Sequence, residues 1–265
     1  MPVVEYQLKD LLELMGAGYS ERELSVAIPM MGTDLAGIKD GVITVEVFPN
    51  RPDILNIEGF ARALKGFMGV EGGLARYGVS PSGMELLVEK KNVEGIRPFI
   101  SAAIVKDLEL SEDGVVSLMN VQEKLHITHG RNRRKVAIGV HDLDKIKGPF
   151  TYTAKNPKDV SFIPLDMNEK MNLQQILSRH PKGRDYAWTV EGFKKYPVIF
   201  DSTGEVLSFP PIINGEYSRV GDNTRNIFIE CTGTSQNACD IAVNIIVTGL
   251  ADRGGKIQSI EVSEK

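Results

Sequence analysis

The sequence predicts an α+β fold: a small N-terminal α/β module over residues 1–83, then a larger mixed-sheet domain with packed helices over residues 84–265. Three observations predict it. Over the first seventy or so residues, strand-like alternation and helix-like spacing take turns in short segments. From Met84 onward strand patterns outnumber helical ones. Between the two stands "GVSPSG", Gly78 to Gly83, with the glycine, serine and proline content of a linker.

Taken in order, "VVEYQLKDLLELMG" reads as a short strand followed by a helix. In "SEREL", Ser20 with Glu23 three residues on forms a capping box that opens a second helix, and Pro29 limits it. "VITVEVF" alternates as a strand from Val42 to Phe48, and "PNRPD" breaks it. Ile57, Phe60, Ala61, Leu64, Phe67 and Met68 then fall on one face of a helix, which is expected to lie against the strand just before it. Past the linker, "MELLVEK" and "PFISAAIVKDLEL" read as strands, "EDGVVSLMNVQEKLHITHG" as a helix and "KVAIGVHDL" as a strand buried on at least one face. "YPVIFD" and "EVLSF" flank "STG" as a hairpin in which Gly204 supplies the turn dihedral. "NIFIECTGT" is a strand, and the run from Ala238 to about Leu250 is apolar enough to place its helix at the centre of the domain.

With 265 residues, 42% of them hydrophobic and 25% charged, the chain can bury a substantial core. A net charge of -4 argues against a protein that coats DNA or RNA wholesale, while leaving room for a local basic patch. No stretch reaches the roughly 18 continuous apolar residues of a membrane span, and "MPVVEYQLKD" lacks the basic-then-apolar pattern of a signal, so no membrane role and a cytoplasmic location are expected. Cys231 and Cys239 are too few for a disulfide scaffold, and four dispersed histidines make no zinc site; no metal is expected. His141, Asp142 and Asp144 in "HDLD" form only a weak ligand candidate.

Three constellations could carry chemistry. The apolar stripe Val115, Leu118, Met119, Leu125 passes through Gln122, with His126 and His129 on the same side; such a glutamine either satisfies a buried backbone group or lines a pocket. Next, Arg131, Arg133, Arg134 and Lys135 crowd four cations into five residues, either a solvated run or a phosphate-binding patch. In "IFIECTGTSQNA", alternation puts Phe228, Glu230 and Thr232 on one face and Ile227, Ile229 and Cys231 on the other. "TGTS" then opens the apolar helix, where Thr234 or Ser235 would serve as N-cap or free N–H groups would bind an anion. No "GxSxG", "GxxxxGK" or "HExxH" appears. Covalent catalysis is therefore not signalled, and an enzyme of this sequence is expected to position water.

The segments "VFPNRPDILNIEGFARAL", "VAIGVHDLDKIKGPFTYTAKNP", "PVIFDSTGEVLSFPPIINGEYSRV" and "NTRNIFIECTGT" resemble the β subunit of phenylalanyl-tRNA synthetase in its archaeal and eukaryotic form, over essentially the whole chain. The resemblance is to the N-terminal part of that subunit. It implies an N-terminal module plus an editing domain that hydrolyses tyrosine wrongly esterified to the phenylalanine tRNA. It also implies no cofactor in this part, with ATP and magnesium belonging to the complete synthetase and its α subunit as partner. Carried over by residue, it places Gln122, Arg133, Ser208, Glu230 and Thr232 in the editing pocket, with Ile199 as an apolar wall; Glu230, Thr232, Gln122 and Ser208 are expected in catalysis and Arg133, Ile199, Asn214 and Thr234 in substrate binding. Arg131, Arg134 and Lys135 would hold the tRNA acceptor end. Relatives often carry Asp where Glu230 stands, and Asp-x-Thr where this chain has Ser235 and Asn237. Editing follows from a physical limit: an apolar pocket cannot strongly reject an analogue that merely adds a hydroxyl, so a second site must read that hydroxyl. The competing reading is a noncatalytic tRNA-binding or subunit-assembly module.

Overall fold

The structure is a computed structural model that describes residues 2–110 and 112–265. Strand β1 (Val3–Gln7) runs directly into helix α1 (Leu8–Met15), which ends on Gly16 at φ 66°, a left-handed backbone that glycine adopts without a Cβ clash. Helix α2 (Glu21–Met30) opens on the expected capping box: Glu23 N donates to Ser20 Oγ at 3.3 Å, and Ser20 N donates back to the Glu23 carboxylate at 2.8 Å. Pro29 lies within its last turn. With β2 (Asp34–Lys39) and β3 (Val42–Glu46), β1 forms a three-stranded antiparallel sheet in the order β1-β3-β2.

Helix α3 (Ile57–Phe67) is capped by Asn56, whose side chain accepts from Gly59 N. Its buried face shares a core with Ile43 and Val45 of β3, and the Phe60 ring lies 4.9 Å from that of Tyr6 on β1. Its main partners are α1 and the long helix Gln236–Asp252 of the second half. Small residues allow that approach: a Cβ on Gly249 would stand 2.4 Å from Asn56 Nδ2. Phe67, counted on the buried face, is exposed.

The expected linker is also corrected. Gly78–Gly83 lies almost wholly within strand β4 (Val79–Val88), whose first residues pair in parallel with β14 (Lys256–Glu264). The strand tolerates Pro81 because β7 (Phe150–Lys155) pairs with β4 only from Leu86 on, leaving one side of Pro81 an open edge where no N–H is needed. Gly83, at φ 72°, accompanies the break in register between Ser259 and Glu261.

After β4 come a one-turn helix α4 (Lys90–Val93), β5 (Phe99–Lys106), α5 (Glu112–Ile127) and β6 (Val136–Asp142). Past β7, the short pair β8 (Ser161–Phe162) and β9 (Met171–Asn172) leads to α6 (Leu173–Arg179) and α7 (Pro181–Tyr186). The predicted hairpin is β10 (Tyr196–Phe200) and β11 (Val206–Phe209), with Gly204 at φ 87° in its turn. Then follow β12 (Ile213–Asn214), β13 (Ile227–Gly233), α8 (Gln236–Asp252) and β14.

Nine strands build one mixed sheet in the order β12-β11-β10-β7-β4-β14-β5-β13-β6, with β4 parallel to β14 and β7 and the other pairs antiparallel. The sheet curls until its two edge strands face each other: Asn214 Nδ2 of β12 donates to Val140 O of β6 at 3.3 Å. Helix α8 packs on β5 and β13 on one side and on α3 and α5 on the other. One apolar cluster runs from Leu11 and Phe60 through Ile246 to Val105 and Val136, so both halves contribute to the same core. Each fully buried Ile or Leu in it stabilises the fold by roughly 1.5–3 kcal/mol. Arg62 pairs with Asp252 at 2.5 Å, and Arg253 reaches Asp10 and Glu58, closing the rim of this contact.

Candidate functional site

Where the curled sheet stops short of closing, a cleft of about 480 Å³ opens between β6, β11–β12 and helices α5 and α7. Gln122, Arg133, Ser208, Asn214 and Glu230 line it. Because β6 is an edge strand, its outward backbone groups need other partners. Gln122 Nε2 donates to Ile138 O at 2.7 Å, and Ile138 N donates to His126 Nε2 at 2.8 Å. These two residues, one helical turn apart, therefore cap both backbone groups of Ile138. Gln122 does both things its sequence position allowed: it satisfies a backbone group and it borders the pocket. The Ile138 bond leaves the imidazole proton on Nδ1, facing Glu123 Oε2 at 3.4 Å. Burial pushes the His126 pKa down to about 4, against the opposing Glu123 hydrogen bond.

At the floor of the cleft, Glu230 is 1% exposed and its Oε2 has no hydrogen-bond partner. Its other oxygen lies 3.9 Å from Nε2 of the fully buried His141, too far for a hydrogen bond, and that nitrogen is unpartnered as well. His141 Nδ1 is within 2.8 Å of Ser218 Oγ, which orients the ring. Register explains the space. Glu230 faces Gly139 across the β13–β6 ladder, and a Cβ there would stand 2.2 Å from Glu230 Oε1 and 2.8 Å from His141 Nε2. The glycine is required by that carboxylate. Two buried polar atoms without partners are an uncompensated cost in a folded chain, the mark of groups kept for a ligand.

The arginine cluster is split by its own backbone. Arg131, Asn132 and Arg133 take φ of 51°, 53° and 64°, three successive left-handed residues that cost of order 1–3 kcal/mol each. The turn sends Arg133 inward, where Nη1 donates to Ile212 O at 2.8 Å, Nη2 donates to Glu123 Oε2 at 2.8 Å, and the guanidinium stacks 4.4 Å from the Tyr186 ring centroid. Arg133 is thus a clamp from α5 to the Pro210–Pro211 segment and α7. Its Nε is buried without a hydrogen-bond partner. Lys182 Nζ completes the cluster at 3.1 Å from Glu123 Oε1. The His126 hydrogen bond, opposed by burial and reinforced by Arg133 and Lys182, holds the Glu123 carboxyl well below the usual carboxylate range.

Several expected site residues lie elsewhere. Thr232 is buried against Arg97, whose Nε donates to Thr232 Oγ1 at 2.9 Å and whose Nη2 donates to Thr232 O at 2.8 Å. Ile199 belongs to the core under β7 and β11. Thr234 is exposed, and neither it nor Ser235 caps α8 with a side chain, although Ser235 occupies the cap position. Arg131 and Arg134 are exposed and Lys135 half-buried, none of them in the cleft wall. Ser208 is 3% exposed and lines the cleft. In "HDLD", Asp142 accepts from Thr224 Oγ1 and Asp144 from Asn226 Nδ2, both at 2.8 Å, and no metal-binding group of side chains occurs among the described residues. Sequence reasoning missed the pairing of Glu230 with Gly139 and His141. The available signal was the alternation Ala137, Gly139, His141, which puts two small residues beside a histidine on one face of an apolar strand.

Residues 94–244 match the B3/4 domain family. The fold superimposes on an N-terminal fragment of the phenylalanyl-tRNA synthetase β subunit from Pyrococcus horikoshii with a TM-score of 0.95 at 39% identity, covering 100% of this chain and 77% of that one. The chain belongs to the phenylalanine–tRNA ligase β-subunit family. Among curated β subunits, that of Methanothrix thermoacetophila is 46% identical over 264 residues and that of Archaeoglobus fulgidus 46% over 263, in each case covering 99% of this chain. The chain spans about half the length of these β subunits, 48% and 47% respectively. No helix among the described residues is long and apolar enough to cross a membrane.

Proposed function

We propose that this part of the β subunit is an editing hydrolase, which removes tyrosine misattached to the phenylalanine tRNA by positioning water and without a covalent intermediate. The observation that carries the reading is Glu230: a carboxylate at the floor of the cleft, with a free oxygen and a glycine opposite to make room for it. At that depth it meets the end of an entering side chain, so its role is to accept the tyrosine hydroxyl proton as a hydrogen bond, with His141 Nε2 behind it. A hydrogen bond to a charged partner is worth about 1.5–3 kcal/mol, which favours tyrosine over phenylalanine by roughly 10- to 150-fold. Ser208 and Asn214 stand closer to the ester and orient it or the attacking water; an aminoacyl ester is already activated, so orientation supplies much of the rate. Arg131, Arg134 and Lys135 contribute phosphate contacts outside the cleft. In the complete synthetase the partner is the α subunit, whose site uses ATP and magnesium. The test is deacylation of tyrosyl- and phenylalanyl-tRNA by the chain: faster loss of tyrosine is expected, and equal or absent hydrolysis of both would refute the proposal.

A further inference from the structure

Helix α7 forms one wall of the cleft through Lys182, and the chain beyond it leaves the cleft for the surface. There Trp188 is 46% exposed and Phe193 37% exposed, two large aromatic rings held outward within six residues of each other. The indole is not loose. Trp188 Nε1 donates to Asp185 O at 3.1 Å, which fixes the ring. Along the same segment Arg179, Arg184, Lys194 and Lys195 are all exposed, against Asp185 and Glu191, with Arg179 3.8 Å from the exposed Glu169, in a protein of net charge -4. Tyr186, on the inner side, is already taken by Arg133.

We infer that the segment Arg179–Lys195 is a docking platform for unpaired RNA, on which a base of the single strand leading to the cleft stacks against Trp188 while the flanking cations meet its phosphates. The inference rests on the editing reading for the identity of the strand. Its own support is the combination of a fixed, exposed indole with local positive charge, which suits single-stranded nucleic acid: every base has a π-face, and the backbone carries the opposing charge. A peptide would match both features only with acidic residues set beside an aromatic side chain, whereas every nucleotide carries a π-face and a phosphate together. Distance agrees. Trp188 is six positions beyond Lys182 in helical and 3-10 conformation, at most about 12 Å by rise, so a strand whose last nucleotide is held at the cleft reaches the indole within a few nucleotides.

Trp188 is the only tryptophan, so its emission reports contact at this ring directly. The 265-residue chain is titrated with an unlabelled single-stranded oligoribonucleotide of about ten nucleotides ending in CCA, and a fluorescein-labelled copy is followed by anisotropy. Saturable quenching is expected. Trp188→Ala should weaken binding by roughly 5- to 150-fold, Trp188→Phe should restore most of it, and the Lys194→Gln, Lys195→Gln double variant should lower the slope of log K against log salt by about 1.4. Both aromatic variants alter an exposed side chain, and circular dichroism verifies their folding. Binding without quenching, or equal binding and quenching by an RNA duplex or dextran sulfate, overturns the inference. Deacylation of tyrosyl-tRNA is read separately: intact deacylation without quenching defeats this surface alone, and quenching without deacylation defeats the editing reading alone.

Discussion

Replacing Glu230 by glutamine separates a structural role from a functional one by sign. The amide has the shape of the carboxylate, so the packing made by Gly139 is untouched. In the native chain, Oε2 and His141 Nε2 are both buried and unpartnered, and the two side chains stand 3.9 Å apart without bonding. A buried polar atom left unpaired costs about 1–3 kcal/mol. The amide N–H can donate to His141 Nε2, with Ser218 holding the Nδ1 side of the ring, and Glu230→Gln brings no charge into the interior. Stability should therefore rise by about 1 kcal/mol, or roughly 2–4 °C in Tm for a chain of this size. Deacylation of tyrosyl-tRNA should fall in the same variant, by roughly 10- to 150-fold in kcat/KM, as the hydrogen bond to the tyrosine hydroxyl loses its charged acceptor. Urea denaturation and a deacylation time course measure the two. A variant that is less stable by more than 1 kcal/mol, or that deacylates within twofold of the parent, would falsify the assignment of Glu230 as a group held for its ligand.

Arg133→Ala should lower unfolding free energy by on the order of 2–3 kcal/mol in urea, since it strands Ile212 O and Glu123, while exposed Arg134→Ala should change it by less than about 0.5 kcal/mol; equal effects would mean that Arg133 is no clamp. His126 has a folded pKa of about 4, below the ordinary 6.5, so the unfolded chain binds the extra proton first and stability falls as pH drops from about 6.5 to 4, by roughly 3 kcal/mol from this residue. His126→Gln, which can still accept from Ile138 N, should flatten that slope in pH-dependent thermal melts; an unchanged slope would assign it to another group. Burial pushes the Cys231 thiol up, and both cysteines are buried, so Cys231→Ala and Cys239→Ala should leave deacylation near the parent value; a thioester trapped from substrate would end the water-positioning mechanism.

What was legible in the sequence was what neighbours along the chain decide. The Ser20–Glu23 capping box, the Gly204 hairpin and the alternation that puts Glu230 opposite Ile229 on β13 all depend on a few adjacent residues, and all appear in the structure. What was not legible depends on partners far away. Gly78–Gly83 has the composition of a linker because nothing local shows that Lys256–Glu264 will pair with it. The four cations from Arg131 to Lys135 read as one patch, yet three left-handed residues turn Arg133 toward Ile212, seventy-nine positions on, and leave its neighbours outside. Thr232 shares a face with Glu230, as alternation requires, but Arg97 occupies its hydroxyl.

The cleft and the fold have the same origin. A curled sheet that closed completely would pair β12 with β6 and leave no site, whereas an open one would expose two edges to other chains. This sheet stops between the two. Gln122 and His126 from α5, with Asn214 from β12, satisfy the free backbone groups of Ile138 and Val140, and in doing so they set polar side chains along the gap that a closed sheet would have filled. The polar character of the walls is thus dictated by edge protection, and needs no functional explanation. Glu230 does need one: it lies on β13, one strand in from the edge, where the ladder on both sides already satisfies the backbone and an apolar side chain would pack against Ala102, Ala137 and Phe228 at no such cost. That a carboxylate stands there, with a glycine across from it and a histidine beside it, distinguishes the reading group from its frame.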